Sequence, residues 1–191
     1  LPAPTKADAS APARGARRSW ALAGVVVAAV LAVAGWRWLT PRALPPVPAE
    51  AERWYERGAE AVREGAYRSG QLALEEAIRL HPSYALAHAR LAEAFAELDD
   101  ERAAQEQLLR LSSAVSSEAR LPEDERLRVA GLRALVLRDL DVSLTTYRRL
   151  TGRRPRDATA WFDLGRAEEN AGVQDAALQS YARAIAIDPQ F

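Results

Sequence analysis

The residues that could carry chemistry are few. The chain has two histidines, His81 and His88, and no cysteine. The histidines flank a turn, where surface or packing roles are commoner than metal ligation. Three arginines surround Pro155, and they are more typical of a solvated turn than of an anion site. With no glycine-rich phosphate loop, nucleophile elbow or metal-binding helix pair in the sequence, we predict no catalytic residues, no metal and no cofactor.

Charge is balanced over the whole chain but not along it. Basic and acidic residues number 26 each in 191 residues. Residues 1–48 have a net charge of +5, and the remainder has −5. An acidic body with a basic head does not resemble a nucleic-acid-binding protein, so we expect no nucleic-acid partner.

A fixed register recurs through the body of the chain. In three stretches a glycine is followed by a proline 24 residues later: Gly58 and Pro82, Gly131 and Pro155, and Gly165 and Pro189. Apolar residues recur between them at helical spacing, and no stretch alternates as a strand would. An internal period of this kind predicts a helical repeat protein.

The last stretch resembles one family in detail. W-F-D-L-G-R-A-E from Trp161, followed by Ala177, Tyr181, Ala184 and Pro189, is similar to a full tetratricopeptide repeat. The resemblance implies an all-α solenoid of about four helical hairpins, with repeats at 51–84, 85–118, 124–157 and 158–191. The second repeat is the weakest, since Ser116 replaces its closing proline, and about five extra residues follow near 116–121.

The spacing has a physical reason. Small residues occupy one equivalent place on the first helix of each unit, at Gly58, Ala92, Gly131 and Gly165. A small side chain there lets the second helix of the hairpin approach closely. Each hairpin then buries its apolar face by stacking on the next one, so that stability comes from neighbours.

The resemblance also implies a binding surface. In this family the first helices line an inner groove that takes a protein or peptide ligand. The positions that match the groove pattern are Tyr55, Val62, Arg63, Glu93, Glu97, Arg128, Leu132, Phe162, Arg166 and Asn170. For any one of them a solvated inner face is the competing interpretation. Because the repeats lack lysine and Asn170 is the only asparagine, a Lys/Asn clamp on a terminal carboxylate is disfavoured.

The sequence of residues 1–50 predicts a membrane anchor. Residues 1–19 read as a disordered basic linker, 20–39 as a transmembrane helix and 40–50 as a proline-rich spacer. A buried core helix and a cleaved signal peptide are the alternatives for 20–39. The basic residues before the span place its N-terminal side in the cytoplasm. We therefore expect a single-pass inner-membrane protein that contacts the bilayer through 20–39, with its repeats outside the cytoplasm.

The absence of methionine and the start at Leu1 suggest a fragment of a longer protein. The layout resembles the transmembrane and extracytoplasmic repeat part of bacterial serine/threonine protein kinases, which makes a membrane-anchored interaction module of a signalling protein the favoured function. On that view this segment is not an enzyme, although the full-length protein could be a kinase. The alternatives are the receptor half of a transmembrane winged-helix transcription regulator and a stand-alone periplasmic assembly factor.

Overall fold

The computed structural model describes residues 45–114 and 120–190, which belong to one compact unit of the chain. Within these residues there are eight α-helices and no strand, which confirms the predicted all-α repeat architecture. The helices are α1 (Ala49–Arg63), α2 (Tyr67–Leu80), α3 (Ala85–Glu97), α4 (Glu101–Ala114), α5 (Glu123–Val136), α6 (Leu140–Arg153), α7 (Ala158–Asn170) and α8 (Gln174–Ile187).

The predicted inner-membrane location is overturned. No helix within 45–114 or 120–190 combines the length and the apolar character that a membrane span requires. The segment 20–39, on which the transmembrane prediction fell, lies outside the described residues, as do the predicted linker 1–19 and the first part of the spacer. Helix α1 begins at Ala49, within the last two residues assigned to that spacer.

Close helix pairing depends on the small residues of the first helices. A Cβ atom added at Gly58 would lie 2.7 Å from Leu74 Cγ, and one added at Gly131 would lie 2.7 Å from Tyr147 Cζ. Both distances are shorter than side chains tolerate, so the large residue of the second helix fills the space that the glycine leaves. This contact confirms the reason proposed for the small residues of the repeat.

The turn inside each hairpin requires a left-handed residue at one repeat position. Gly65 and Gly172 hold this conformation at φ 76° and 74°, as glycine does without strain. In the two middle repeats the equivalent residues are Asp99 and Arg138, at φ 59° and 60°. A charged residue thus occupies a position where glycine is favoured in both middle turns.

The stack of hairpins changes its packing at the middle joint. Helix α2 packs against α3, and α6 packs against α7, as successive repeats do in a solenoid. Between the second and third repeats the main contact is instead α3 against α5. Leu121, Val129 and Leu132 join the buried core of α3 and α4 at this joint. As a result, the first helices of the second, third and fourth repeats come close together on the inner face.

Candidate functional site

The inner face brings together α3 and α7, the first helices of the second and fourth repeats. Arg90 and Glu93 lie one turn apart on α3, and Asp163 and Arg166 lie one turn apart on α7. Each residue of one pair is 73 residues from its counterpart in the other. Arginine and carboxylate therefore stand at the same repeat positions in the opposite order, so that each helix carries the charges that the other needs.

Arg90 forms the centre of this contact. Its two terminal nitrogens donate to Asp163, from Nη1 to Oδ1 at 3.1 Å, from Nη2 to Oδ1 at 3.2 Å and from Nη2 to Oδ2 at 3.1 Å. Nη1 also donates to Glu93 Oε2 at 2.8 Å. The side chains of Arg90 and Asp163 are each 1% exposed. The planar guanidinium matches the two carboxylate oxygens, which is the strongest geometry for an ion pair in proteins.

Arg166 completes the contact from the other side. Its Nη1 donates to Glu93 Oε1, and its Nη2 donates to Glu97 Oε1 at 2.7 Å. We call Arg90, Glu93, Asp163 and Arg166 the clasp. The clasp holds two cations and two anions, so its charges balance where water is excluded. Glu97 lies at its edge, with a side chain that is 36% exposed.

The pKa of Arg90 shows whether burial or the neighbouring carboxylates dominate in the clasp. Burial by itself disfavours the charged guanidinium, but the carboxylates of Asp163 and Glu93 outweigh burial and raise the pKa of Arg90 well above its usual value. Arg166 has a raised pKa for the same combination of reasons, with Glu93 as the main carboxylate. Both arginines are therefore held as cations. Two buried polar atoms, Arg90 Nε and Tyr147 Oη, have no hydrogen-bond partner within the described residues.

Several predicted groove residues pack inside the molecule. Val62 and Leu132 are 1% and 0% exposed and belong to the apolar cores. Tyr55 lies against Tyr84 with ring centroids 5.1 Å apart, and Phe162 lies against Tyr181.

The other two arginines predicted to line the groove, Arg63 and Arg128, also interact with neighbouring residues of the fold. Arg63 is half-buried on α1, where burial and the nearby charge of Arg90 lower its pKa. Arg128 pairs with Asp157, the residue that caps α7 by accepting from the Ala160 amide. Burial raises the pKa of Tyr55 on the same face, with the charge of Arg90 acting in the opposite direction.

The inner face has an accessible cleft at the ends of α3, α5 and α7. It has a volume of about 130 Å³, and two of the predicted groove residues, Glu97 and Asn170, lie on its exposed rim. Asn170 Oδ1 accepts from Arg138 Nη1 at 3.1 Å. The residues lining the cleft are Glu93, Ala96, Glu97, Asp99, Leu135, Val136, Arg138 and Asn170. We refer to this feature as the inner cleft.

Sequence reasoning missed four residues of this region. Arg90 and Asp163 complete the clasp, while Asp99 and Arg138 stand in the left-handed turns beside the inner cleft. A signal was present in each case. Arg90 and Asp163 are opposite charges at one repeat position, and Asp99 and Arg138 replace the glycine of the outer repeats.

Three of the other residues considered for chemistry, His88, Arg153 and Arg154, have structural partners. His88 is buried, with Nδ1 2.9 Å from Gln107 Oε1 and Nε2 3.0 Å from the Pro82 carbonyl oxygen. Arg153 and Arg154 pair with Asp124. Within 45–114 and 120–190, no group of three or more histidine or acidic side chains is arranged to hold a metal ion.

Comparison with known proteins identifies the repeat. The sequence model of the tetratricopeptide repeat family matches residues 128–190. No curated protein matches the chain. The crystal structure of MamA is 20% identical and covers 75% of this chain and 81% of its own, with a TM-score of 0.35. MamA (41-end) from Desulfovibrio magneticus RS-1 is 16% identical and covers 76% and 80%, with a TM-score of 0.36. Similarities of this size carry no inference about function.

Proposed function

Because this chain is a tetratricopeptide-repeat protein, we propose that it is a protein-binding module and that the inner cleft receives a segment of its partner. A repeat of this kind is an interaction module, which is consistent with the prediction that this segment is not an enzyme. The observation that carries the proposal is the inner cleft itself. It combines an apolar surface from Ala96, Leu135 and Val136 with polar groups on its rim. Five of the eight lining residues are polar or charged, and polar groups that converge on a concave surface can fix the orientation of a bound segment.

The helix ends favour a particular partner chemistry. Helices α3, α5 and α7 all end at the inner cleft, and the C-terminal end of a helix carries partial negative charge on its last carbonyl groups. Asp99 adds a carboxylate at the same place, whereas the carboxylate of Glu97 is already paired with Arg166 and Arg138 contributes a cation to the lining. We propose that the bound segment presents an apolar side chain to the cleft and hydrogen-bond donors to its rim.

Site-specific photocrosslinking tests this proposal. A photoreactive residue at Asn170, on the rim of the inner cleft, is compared with one at Glu75, an exposed residue of α2. In the cells that carry the gene, we expect a discrete cross-linked protein from position 170 and none from position 75. Equal cross-linking at both positions, or none at either, contradicts the proposal.

A substitution then connects the partner to the cleft. Asp99→Gly removes a rim carboxylate and suits the left-handed turn, so the fold is preserved. We expect it to weaken cross-linking from position 170. The matched control is Glu106→Ala, which removes an exposed carboxylate from α4 that does not line the cleft.

The wider context stays a proposal. We propose that the module belongs to a larger bacterial signalling protein, in which a serine/threonine kinase domain precedes the repeats. A glycine-rich loop and an H-R-D motif in the upstream gene sequence would support this context. An upstream helix-turn-helix would instead indicate a transcription regulator, and a methionine within a few residues of Leu1 would indicate a stand-alone assembly factor.

A further inference from the structure

We propose that the clasp is an autoinhibitory contact, in which α7 occupies the place of a partner helix on the inner face of α3. This inference rests on the proposed function, because only a binding module has a partner to exclude. The partner that fits is a helix carrying a carboxylate and, three residues later, an arginine. Such a helix offers α3 the same groups that Asp163 and Arg166 offer it now.

The charges of the clasp define the chemistry of that partner. On α3, Arg90 presents a cation and Glu93 an anion one turn further along the helix. The carboxylate of Asp163 meets the first, and the guanidinium of Arg166 meets the second. A partner with the reverse order would place like charges together, which is a strong source of discrimination between ligands. The inner face of α3 therefore selects one order of charge.

The link between α3 and α7 consists of charged side chains rather than apolar packing. One buried apolar cluster joins Leu91 of α3 to α1 and α2, a second joins Ala92 of α3 to α4 and α5, and a third joins Leu164 of α7 to α5 and α6. None of these three clusters contains residues of both α3 and α7. The apolar clusters therefore connect α3 and α7 only indirectly, through α5, while the direct contact between them is the clasp.

The closed clasp is also not fully satisfied. Arg90 Nε is buried without a hydrogen-bond partner in the described part of the chain, and a buried unpaired donor opposes the closed arrangement. Buried ion pairs gain little net free energy, because the loss of hydration offsets the attraction between the charges. Because the net free energy of the clasp is small, an external helix that makes the same ion pairs can replace α7.

Distance measurements on the full chain test the closing role without any partner. Because the sequence has no cysteine, Arg68→Cys on α2 and Gln179→Cys on α8 give two unique sites for spin labels on exposed residues. In this labelled background Asp163→Arg replaces the carboxylate that pairs with Arg90 by a third cation in the clasp, and it is expected to add a population of longer distances. The charge exchange Arg90→Glu with Asp163→Arg restores two cations and two anions and should return the original distribution.

The controls separate opening from unfolding. Arg110→Ala removes an exposed ion pair with Glu106 on α4 and should leave the distances unchanged. Circular dichroism shows whether Asp163→Arg keeps its helix content, and if it does not, Asp163→Asn is measured in its place. A folded Asp163 variant whose distances coincide with those of the unsubstituted chain overturns the proposal.

Peptide binding tests the partner chemistry. The probe is a labelled peptide with the sequence of residues 158–170, titrated into the full chain carrying Asp163→Arg. We expect it to bind at least about tenfold more tightly than a peptide of the same composition in which Asp163 and Arg166 are exchanged. We also expect weaker binding to the unsubstituted chain, whose α3 is already occupied. Equal binding of the two peptides overturns the assigned charge order.

The two levels of the proposal fail separately. Loss of all cross-linking at the inner cleft removes the proposed function, but the distance measurement still reports whether the clasp opens. Conversely, a clasp that stays closed in every folded variant leaves the cleft and its cross-linked partner intact, and removes only the autoinhibition.

Discussion

Gly165 of α7 packs closely against the ring of Tyr181 of α8. A Cβ atom added at Gly165 would lie 2.6 Å from Tyr181 Cε1, closer than side chains approach one another. Tyr181 is in turn held by Phe162, with ring centroids 5.4 Å apart, and its hydroxyl donates to Glu169 Oε2 at 2.7 Å. The ring therefore has little freedom to move aside.

The first prediction concerns this contact. Gly165→Ala is expected to lower the free energy of unfolding by about 1–3 kcal/mol, since the added methyl group overpacks the hairpin. Gly152→Ala in α6 is the control, because nothing lies within 4 Å of the position where its Cβ would be. In a helix, alanine is favoured over glycine by roughly 0.5–1 kcal/mol, so the control should be stabilised. Denaturant unfolding of both variants measures the difference, and equal effects would contradict the packing.

The second prediction concerns the left-handed turns. Arg138→Gly should raise the free energy of unfolding by about 1 kcal/mol, because an L-residue at φ 60° is strained and glycine is not. Gly172→Ala at the equivalent position, where φ is 74°, should lower it by a similar amount. Thermal unfolding of the two variants measures whether each change raises or lowers the stability. A destabilised Arg138→Gly would mean that its hydrogen bond to Asn170 outweighs the backbone strain.

The third prediction concerns alkaline pH. Burial raises the pKa of all five tyrosines above the usual value of 10.0, in Tyr55, Tyr67, Tyr84, Tyr147 and Tyr181. A raised pKa in the fold means that the neutral phenols contribute stability that is complete below pH 10 and is lost as the pH rises above it. We expect tyrosinate absorbance to appear together with the loss of helical structure in an alkaline titration. Tyrosinate formation near pH 10 in a chain that stays helical would contradict the burial.

The fourth prediction concerns a buried hydrogen bond in the last hairpin. Ser180 Oγ donates to Glu168 Oε2 at 2.7 Å, and both residues are 4% exposed. Ser180→Ala should cost about 1–3 kcal/mol of stability, since it leaves a buried carboxylate oxygen without this donor. Tyr181→Phe removes an exposed hydrogen bond from the neighbouring position and should cost clearly less. Similar losses for the two variants in urea unfolding would argue against the burial of Glu168.

The hairpins were predictable because the residues that determine each hairpin lie within its own repeat. Gly131 and Gly165 mark the close approach of paired helices, and Pro155 follows the end of α6, so that local spacing determines the fold. The joint between the second and third repeats was not predictable. There the register is broken by the residues near Leu121, and α5 packs against α3 instead of following the regular stack.

The candidate site was predictable only in part. Glu97 and Asn170 lie on the rim of the inner cleft, as a groove position should, but Val62 and Leu132 are core residues. Whether an inner-face side chain meets a partner or another repeat depends on the curvature of the stack. Contacts between residues 73 positions apart, such as that of Arg90 with Asp163, arise from this curvature. The opposite charges at one repeat position are a signal of the pair, but they do not by themselves show that the two helices meet.

The most direct test of the account is a double-mutant cycle between the second and fourth repeats. Arg90→Met, Asp163→Leu and the double variant are compared by their free energies of unfolding. Arg90→Met leaves the buried Asp163 carboxylate without its partner and is expected to cost about 3–5 kcal/mol. Asp163→Leu leaves Arg90 paired with Glu93 alone and should cost less, and the double variant removes both charges together. We predict that the loss of stability in the double variant is about 2–3 kcal/mol smaller than the two single losses added together. Strictly additive losses would show that Arg90 and Asp163 do not meet, and would contradict the closure of the inner face by α3 and α7.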